Sequence, residues 1–320
     1  MKDLKWHKHG KIFDPTHYEF AWGRGQFAQS PQVLVFEDFV RIYFSTRQVD
    51  HNGKFLSHIA FVDMQKNLKT VIGVSTKPVI ALGELGCFDE HGIFPMSVFC
   101  HGGTTYGYTC GWSRRVAVSV ETGIGLAISH DQGLTFERLF TGPVLSASLH
   151  EPFLVGDGFV RFFNEKFHMW YIFGTGWKSF QTGLPPDRTY KIGHAISDDG
   201  VNWVKDDAVQ IIPNVLGEDE SQALPCVIQH SGRYYMFFCY RHSFDFRQTK
   251  GRGYRIGCAW SEDLVHWVRN DDDVFPGGDA AHWDSDMQCY PHVFLLDGKI
   301  YMLYNGNEFG KYGFGLAELS

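Results

Sequence analysis

The chain has 320 residues, 44% of them apolar and 16% aromatic, with 35 glycines and a formal net charge of −7. That acidic balance, without a long basic run, argues against nucleic acid as a partner, and no stretch reaches the ~18 apolar residues of a membrane span. The seven cysteines are odd in number and form no Cys-x-x-Cys, which points to reduced thiols in a cytoplasmic protein rather than to disulfides or zinc.

The start, Met1-Lys2-Asp3-Leu4-Lys5-Trp6, lacks the apolar stretch of a signal peptide. A two-part phrase then recurs along the chain. Its first part is a short apolar run opened by Pro31, Pro95, Pro152, Pro225 and Pro291, at intervals of 64, 57, 73 and 66 residues. Tight turns such as Ser231-Gly232 and Asp297-Gly298 lead into aromatic-rich strands at 40–44, 105–108, 167–171, 234–238 and 300–304. The second part reads Ile124-Gly125-Leu126-Ala127-Ile128-Ser129, Ile192-Gly193-His194-Ala195-Ile196-Ser197 and Ile256-Gly257-Cys258-Ala259-Trp260-Ser261. Asp131, Asp199 and Asp263 follow as turn-tying acids, while Phe314-Gly315-Leu316-Ala317 and His58-Ile59-Ala60 are weaker copies.

No segment of ten or more residues carries a helical period. Five such units, each a four-stranded antiparallel sheet, predict an all-β, five-bladed β-propeller spanning residues 1–320 as one domain. The fifth unit ends after its third strand. The segment 4–13, with Trp6 and Phe13, is expected to supply the fourth and close the ring.

Strand direction places five long connections (47–57, 112–123, 176–189, 241–253 and 305–311) on one face. They carry eleven Lys or Arg against five acids, a basic rim of about +6 that would attract an anionic ligand. Beneath it, acids ahead of the prolines are expected to converge on an axial funnel. Glu151 directly precedes Pro152, Glu90 and Asp286 stand five residues before their prolines, and Asp89 is a close neighbour. Converging carboxylates raise one another's pKa and suit proton transfer. Around them, Arg24, Arg47 and Arg241 are candidate contacts for an anionic sugar, and Glu220, Asp284 and Asn305 for its polar groups. Trp112, like Trp22 and Trp177, offers a stacking plane. His91 and His150 lie near the funnel without metal-ligand spacing, so no metal or cofactor is expected.

Pro-opened inner strands, acidic turns and closing tryptophans resemble the five-bladed propeller glycosidases of glycoside hydrolase families 32, 43 and 68. The phrases at Leu82-Gly83-Glu84-Leu85-Gly86-Cys87-Phe88-Asp89, His150-Glu151-Pro152, Trp283-Asp284-Ser285-Asp286-Met287 and Tyr304-Asn305-Gly306-Asn307 look closest to a branch found beside bacterial surface-polysaccharide genes. Family 43 uses an Asp base in blade one, an Asp in blade two and a Glu acid in blade three. The resemblance therefore implies that Glu151 is the general acid. Ser30 and Phe94 stand where the other two carboxylates belong, so the base or nucleophile falls to Asp89, Glu90 or Asp286. The expected function is a glycosidase-like enzyme acting on an anionic or activated sugar. The alternatives are a non-hydrolytic sugar-binding propeller and a sugar-modifying transferase or lyase.

Overall fold

The computed structural model describes residues 4–180, 183–272, 274–278 and 282–320. Met1, Lys2 and Asp3 of the chain start lie outside these residues. The chain opens with β1 (Trp6–Phe13), a 3-10 turn and a small hairpin of β2 (Glu19–Phe20) and β3 (Gly23–Arg24). Blade one is β4 (Gln29–Val35), β5 (Phe39–Val49), β6 (Phe55–Gln65) and β7 (Val71–Val74). Blade two is β8 (Gly92–His101), β9 (Thr104–Arg114), β10 (Val120–Ser129) and β11 (Glu137–Arg138). Blade three is β12 (Val155–Phe163), β13 (Lys166–Lys178), β14 (Asp187–Ser197) and β15 (Val204–Lys205). Blade four is β16 (Glu220–His230), β17 (Arg233–His242), β18 (Arg255–Ser261) and β19 (Val268–Arg269).

Blade five is β20 (Cys289–Leu296), β21 (Lys299–Asn305) and β22 (Phe314–Leu319), completed by β1. The closure joins the two ends of the chain in antiparallel register, with Trp6 opposite Leu319 and Phe13 opposite Phe314. Trp6 then reaches across to blade four and meets Phe237 edge-on at 5.4 Å. Neighbouring blades bury both faces of each sheet, so the middle strands are apolar along their length instead of alternating. Eight consecutive residues of β13, Phe167 to Gly174, are buried. Among the described residues no helix is long and apolar enough to cross a membrane.

The inner strands β4, β8, β12, β16 and β20 neighbour one another around the axis and close into a ring. Each one breaks its ladder at the same place. The register shifts lie between Gln29 and Gln32, Ile93 and Met96, Gly156 and Phe159, Ala223 and Cys226, and Cys289 and His292. Ser30, Asp157, Leu224 and Tyr290 occupy these bulges with φ of 50–58°, and Phe94 holds the corresponding place in blade two. A bulge re-aims a side chain, and left-handed non-glycine residues concentrate where a site needs them.

The bulges correct the register read from the prolines. In four blades the residue after the bulge is proline, but in blade three it is Gly158. The repeat points therefore run Pro31, Pro95, Gly158, Pro225 and Pro291, with intervals of 64, 63, 67 and 66 residues. Pro152 belongs to the loop leading into blade three. Asp157, not Glu151, holds the position directly before the blade's repeat point.

Candidate functional site

The acids expected in the funnel are held elsewhere by a device that recurs in four blades. Each repeated phrase places its alanine opposite a cation on the fourth strand: Ala127 faces Arg138, Ala195 faces Lys205, Ala259 faces Arg269 and Ala317 faces Lys8. Across that small side chain the cation reaches the acid that precedes the blade's own inner strand. Arg138 Nε donates to Asp89 at 2.9 Å and Lys205 Nζ to Glu151 at 2.5 Å. Arg269 Nη1 donates to Glu220 at 2.5 Å and Lys8 Nζ to Asp284 at 2.8 Å.

All four acids are buried, with Glu151 at 0% exposure. Glu151 also accepts from Tyr171 Oη at 2.8 Å and from the Ala208 N–H at 2.9 Å, and Asp284 accepts from Tyr304 Oη at 3.0 Å. In blades two and five the glycine of the phrase completes the latch. A Cβ on Gly125 would lie 2.7 Å from Phe88 and one on Gly315 2.5 Å from Trp283, the aromatics just before Asp89 and Asp284. The phrases at 82–89 and 283–284 are thus packing and ion-pair elements. Blade one has Gln26 in the acid's place and no cation in β7.

The remaining expected residues divide between funnel and periphery. Glu90 pairs with His91 at 3.1 Å, and His91 stacks on Trp112 with centroids 6.0 Å apart. Asp286 is exposed and faces Lys250 at 3.8 Å in a second cavity between blades four and five. Arg24 and His150 are exposed outside the funnel lining. Asn305 ties blade five to blade one, accepting from the Ser30 N–H at 2.8 Å and donating to the Ala28 carbonyl at 2.7 Å. Of the expected contacts, Arg47, Trp112 and Arg241 line the funnel. Carboxylate convergence on the axis does not occur, because each latch acid turns toward the outer edge of its own blade to meet a cation.

The funnel itself is a cavity of about 380 Å³ on the axis, lined from all five blades. Its size falls at the lower end of the range for small-molecule sites. The bulge residues Phe94, Asp157, Leu224 and Tyr290 line it, under a wall that includes Trp112, Phe55, Phe246, Tyr254 and Phe309. Among the described residues Asp157 is the only carboxylate in this lining, beside Arg47, Arg188, Arg241 and Arg247. Burial pushes its pKa up to about 7, against the pull of the Leu224 N–H and the Arg188 charge. A buried carboxyl group whose pKa lies near neutrality can give up a proton there.

No protein-family model matches the chain. "Uncharacterized protein MT1551" of Mycobacterium tuberculosis strain CDC 1551 / Oshkosh is 36% identical over 317 residues, covering 99% of both chains. "Uncharacterized protein Rv1502" of strain ATCC 25618 / H37Rv is 35% identical over 317 residues, again 99% of both. The chain belongs to the family of these mycobacterial proteins.

Among solved structures, a "Glycoside hydrolase" matches this family member with a TM-score of 0.75 at 17% identity, covering 99% of this chain and 92% of that one. A thermostable family-43 glycoside hydrolase matches with 0.63 at 15%, covering 92% and 88%. The "Beta-1,2-Mannobiose phosphorylase from Listeria innocua", in complex with beta-1,2-mannobiose, matches with 0.67 at 13%, covering 98% and 96%. The family thus shares the five-bladed propeller of glycosidase-type proteins. At these identities the likeness is one of fold, and the site must be argued from its own residues.

Sequence reasoning missed Asp157, Tyr190, Tyr254 and Tyr290. The uneven proline intervals of 57 and 73 residues around Pro152 were the signal that could have found Asp157. The tyrosines lie among many aromatics that pack between blades, and composition does not separate the two groups.

Proposed function

We propose that this chain is a carbohydrate-active, glycosidase-like enzyme whose axial funnel takes an anionic or activated sugar, with Asp157 giving a proton to the leaving oxygen. The observation that carries this reading is the placement of one protonatable carboxyl group at an axial bulge, inside an aromatic and arginine-lined cavity. The propeller shared with glycoside hydrolases supports it as a matter of fold. Aromatic faces suit the C–H surface of a pyranose, and the guanidinium groups favour an anion. Glu151, the general acid implied by resemblance, has both oxygens engaged by Lys205, Tyr171 and Ala208, which supports a latch role instead.

The test compares leaving groups. Asp157→Asn should lower turnover of an alkyl glycoside by about 10²–10⁴ while sparing a 4-nitrophenyl glycoside, whose phenolate leaves without a proton. An equal loss on both, or a loss with Glu151→Gln at unchanged stability, would count against Asp157. A second reading, a sugar-binding propeller without catalysis, draws on the absence of a second carboxylate from the lining among the described residues. Two-carboxylate hydrolysis has no partner for Asp157 there. Saturable sugar binding with no turnover across a glycoside panel would favour that second reading.

A further inference from the structure

The funnel holds more positive charge than its own walls balance. Among the described residues only Arg247 of its four arginines has a carboxylate within ion-pair distance, Asp187 at 3.8 Å, while Asp157 feels the Arg188 charge without pairing to it. Arg47 donates Nε to the Gln29 side chain at 2.9 Å and Arg188 donates to Ser119 Oγ at 3.0 Å. Arg247 is exposed at the mouth, and the charges of Arg241 and Arg188 bear on it from within the cavity. The cations repel one another across the cavity. Such an arrangement is costly unless something else occupies the space between them.

Arg241 is the centre of this cluster. It is 4% exposed, and no carboxylate of the described residues pairs with it. Its Nη1 donates to the carbonyls of His242 at 2.8 Å and Ser243 at 3.0 Å, and its Nη2 to Tyr190 Oη at 2.9 Å. Its Nε is buried without a partner. By contrast, buried Arg41 grips Asp63 with two bonds of 2.7 Å, and Arg269 reaches both Glu220 and Asp271. Tyr190 and Tyr254 share one hydrogen bond between their hydroxyls. Whichever of them donates it, the other keeps one phenolic hydrogen without an assigned acceptor.

We propose that the corner formed by Arg241, Tyr190, Tyr254 and Arg247 is a phosphoryl-binding subsite. The unassigned Nε–H and phenolic O–H supply directed donors, and Arg247, with Arg47 also lining the funnel, supplies charge. A carboxylate brings one charge and two oxygens, too little for several unpaired guanidinium groups. A phosphoryl group brings up to two charges and three terminal oxygens. The inference rests on the funnel being the substrate site and names the anion it takes. The phosphoryl group is either carried by the sugar or supplied as inorganic phosphate, and the experiment separates the two.

Binding is read without turnover, by calorimetry and by thermal shift, with inorganic phosphate, glucose 1-phosphate, glucuronate and glucose at constant ionic strength. Saturable binding of a phosphoryl ligand at millimolar concentration or below, with glucuronate weaker, is the expected result. Glucose 1-phosphate alone identifies a sugar-borne group, and binding of inorganic phosphate identifies a free one. Arg241→Gln should weaken the phosphoryl ligand by at least about tenfold, the loss of a charge-assisted pair.

Because a buried arginine can be needed for folding, Arg247→Gln provides the second variant, its side chain being 59% exposed. It should weaken binding several-fold while keeping the melting temperature. No phosphoryl binding, glucuronate binding as tight, or unchanged affinity in a folded Arg241→Gln or Arg247→Gln protein would overturn the subsite. Asp157-dependent turnover without phosphoryl binding removes this inference and leaves the enzyme reading standing. Phosphoryl binding without any turnover removes the enzyme reading and leaves the subsite.

Discussion

The blade margins and the axial funnel treat charge in opposite ways. At the margins, each buried acid meets a cation of its own blade: Asp89 meets Arg138, Glu151 meets Lys205, Glu220 meets Arg269 and Asp284 meets Lys8. In the funnel, four guanidinium groups line the cavity with one described carboxyl group, whose pKa burial pushes up to about 7, and Asp187 stands 3.8 Å from Arg247. Buried ion pairs that are fully matched hold structure and leave nothing over for a ligand. Unmatched groups in a cavity are the ones available to bind or to transfer a proton. An acid's position ahead of an inner strand therefore says little about catalysis until its partner is known.

Asp157→Asn is the largest expected break in this contrast. Turnover on substrates with poor leaving groups should fall by about 10²–10⁴, yet the fold should gain stability near pH 8. The sign follows from the pKa of about 7 in the folded chain, against about 3.9 when unfolded. The folded state binds more protons between those values, so wild-type stability declines as pH rises from about 4 to about 7 and is flat above. The asparagine variant should lose that slope, which thermal melts at pH 5 and pH 8 would show. On the proposed role of Asp157, kcat/KM of the wild-type protein should have a basic limb near the same pH.

Next in size, breaking a latch should cost stability and spare turnover. Glu220→Gln leaves the Arg269 guanidinium, 2% exposed, beside Asp271 alone. A loss on the order of 3 kcal/mol is expected in denaturant melts. Burial opposes ionisation of Glu220, but Gln222 and Arg269 hold its pKa below the usual value. Its stabilisation is thus present above about pH 4.5 and lost as pH falls through the lower folded value, so the variant should flatten the acid limb of stability. Glu151→Gln should also cost stability, with a smaller loss because Asp207 stays 3.2 Å from Lys205. Turnover that collapses in a well-folded Glu151→Gln protein would erase the distinction between margin and funnel.

Smaller effects sharpen the same comparison. Arg47→Gln should weaken capture of an anionic ligand several-fold at low salt and less at high salt, because screening reduces the attraction in both proteins. Blade one, without a latch, offers the control. Gln26→Glu adds an acid at an exposed position with no fourth-strand cation to meet it, and should leave the melting temperature unchanged.

Much of the fold was legible because its causes are local or periodic. The Ile-Gly-x-Ala-x-Ser phrase marks a third strand whose alanine lets a fourth-strand cation pass, and its glycine admits an aromatic such as Trp283. The Trp6 and Phe13 segment could be assigned to blade five because a propeller with an open seam would leave an unpaired edge. The latch was not legible, since its partners lie as far apart as Lys8 and Asp284, and a list of acids does not say which ones are neutralised. Nor was Asp157, whose place before Gly158 lacks the proline that marks the other four repeat points.

By itself, the sequence determined the four-stranded blade, the five-fold repeat, the ring closure and the basic character of the long connections, but not the β2–β3 hairpin. These follow from spacing, side-chain volume and the need of each blade for neighbours on both sides. Only the tertiary structure decided which charges are matched and which face the axis. That outcome depends on the bulge in each inner strand and on contacts between residues distant in the chain, and it turns Glu151 toward Lys205 while bringing Asp157 and Arg241 to the funnel.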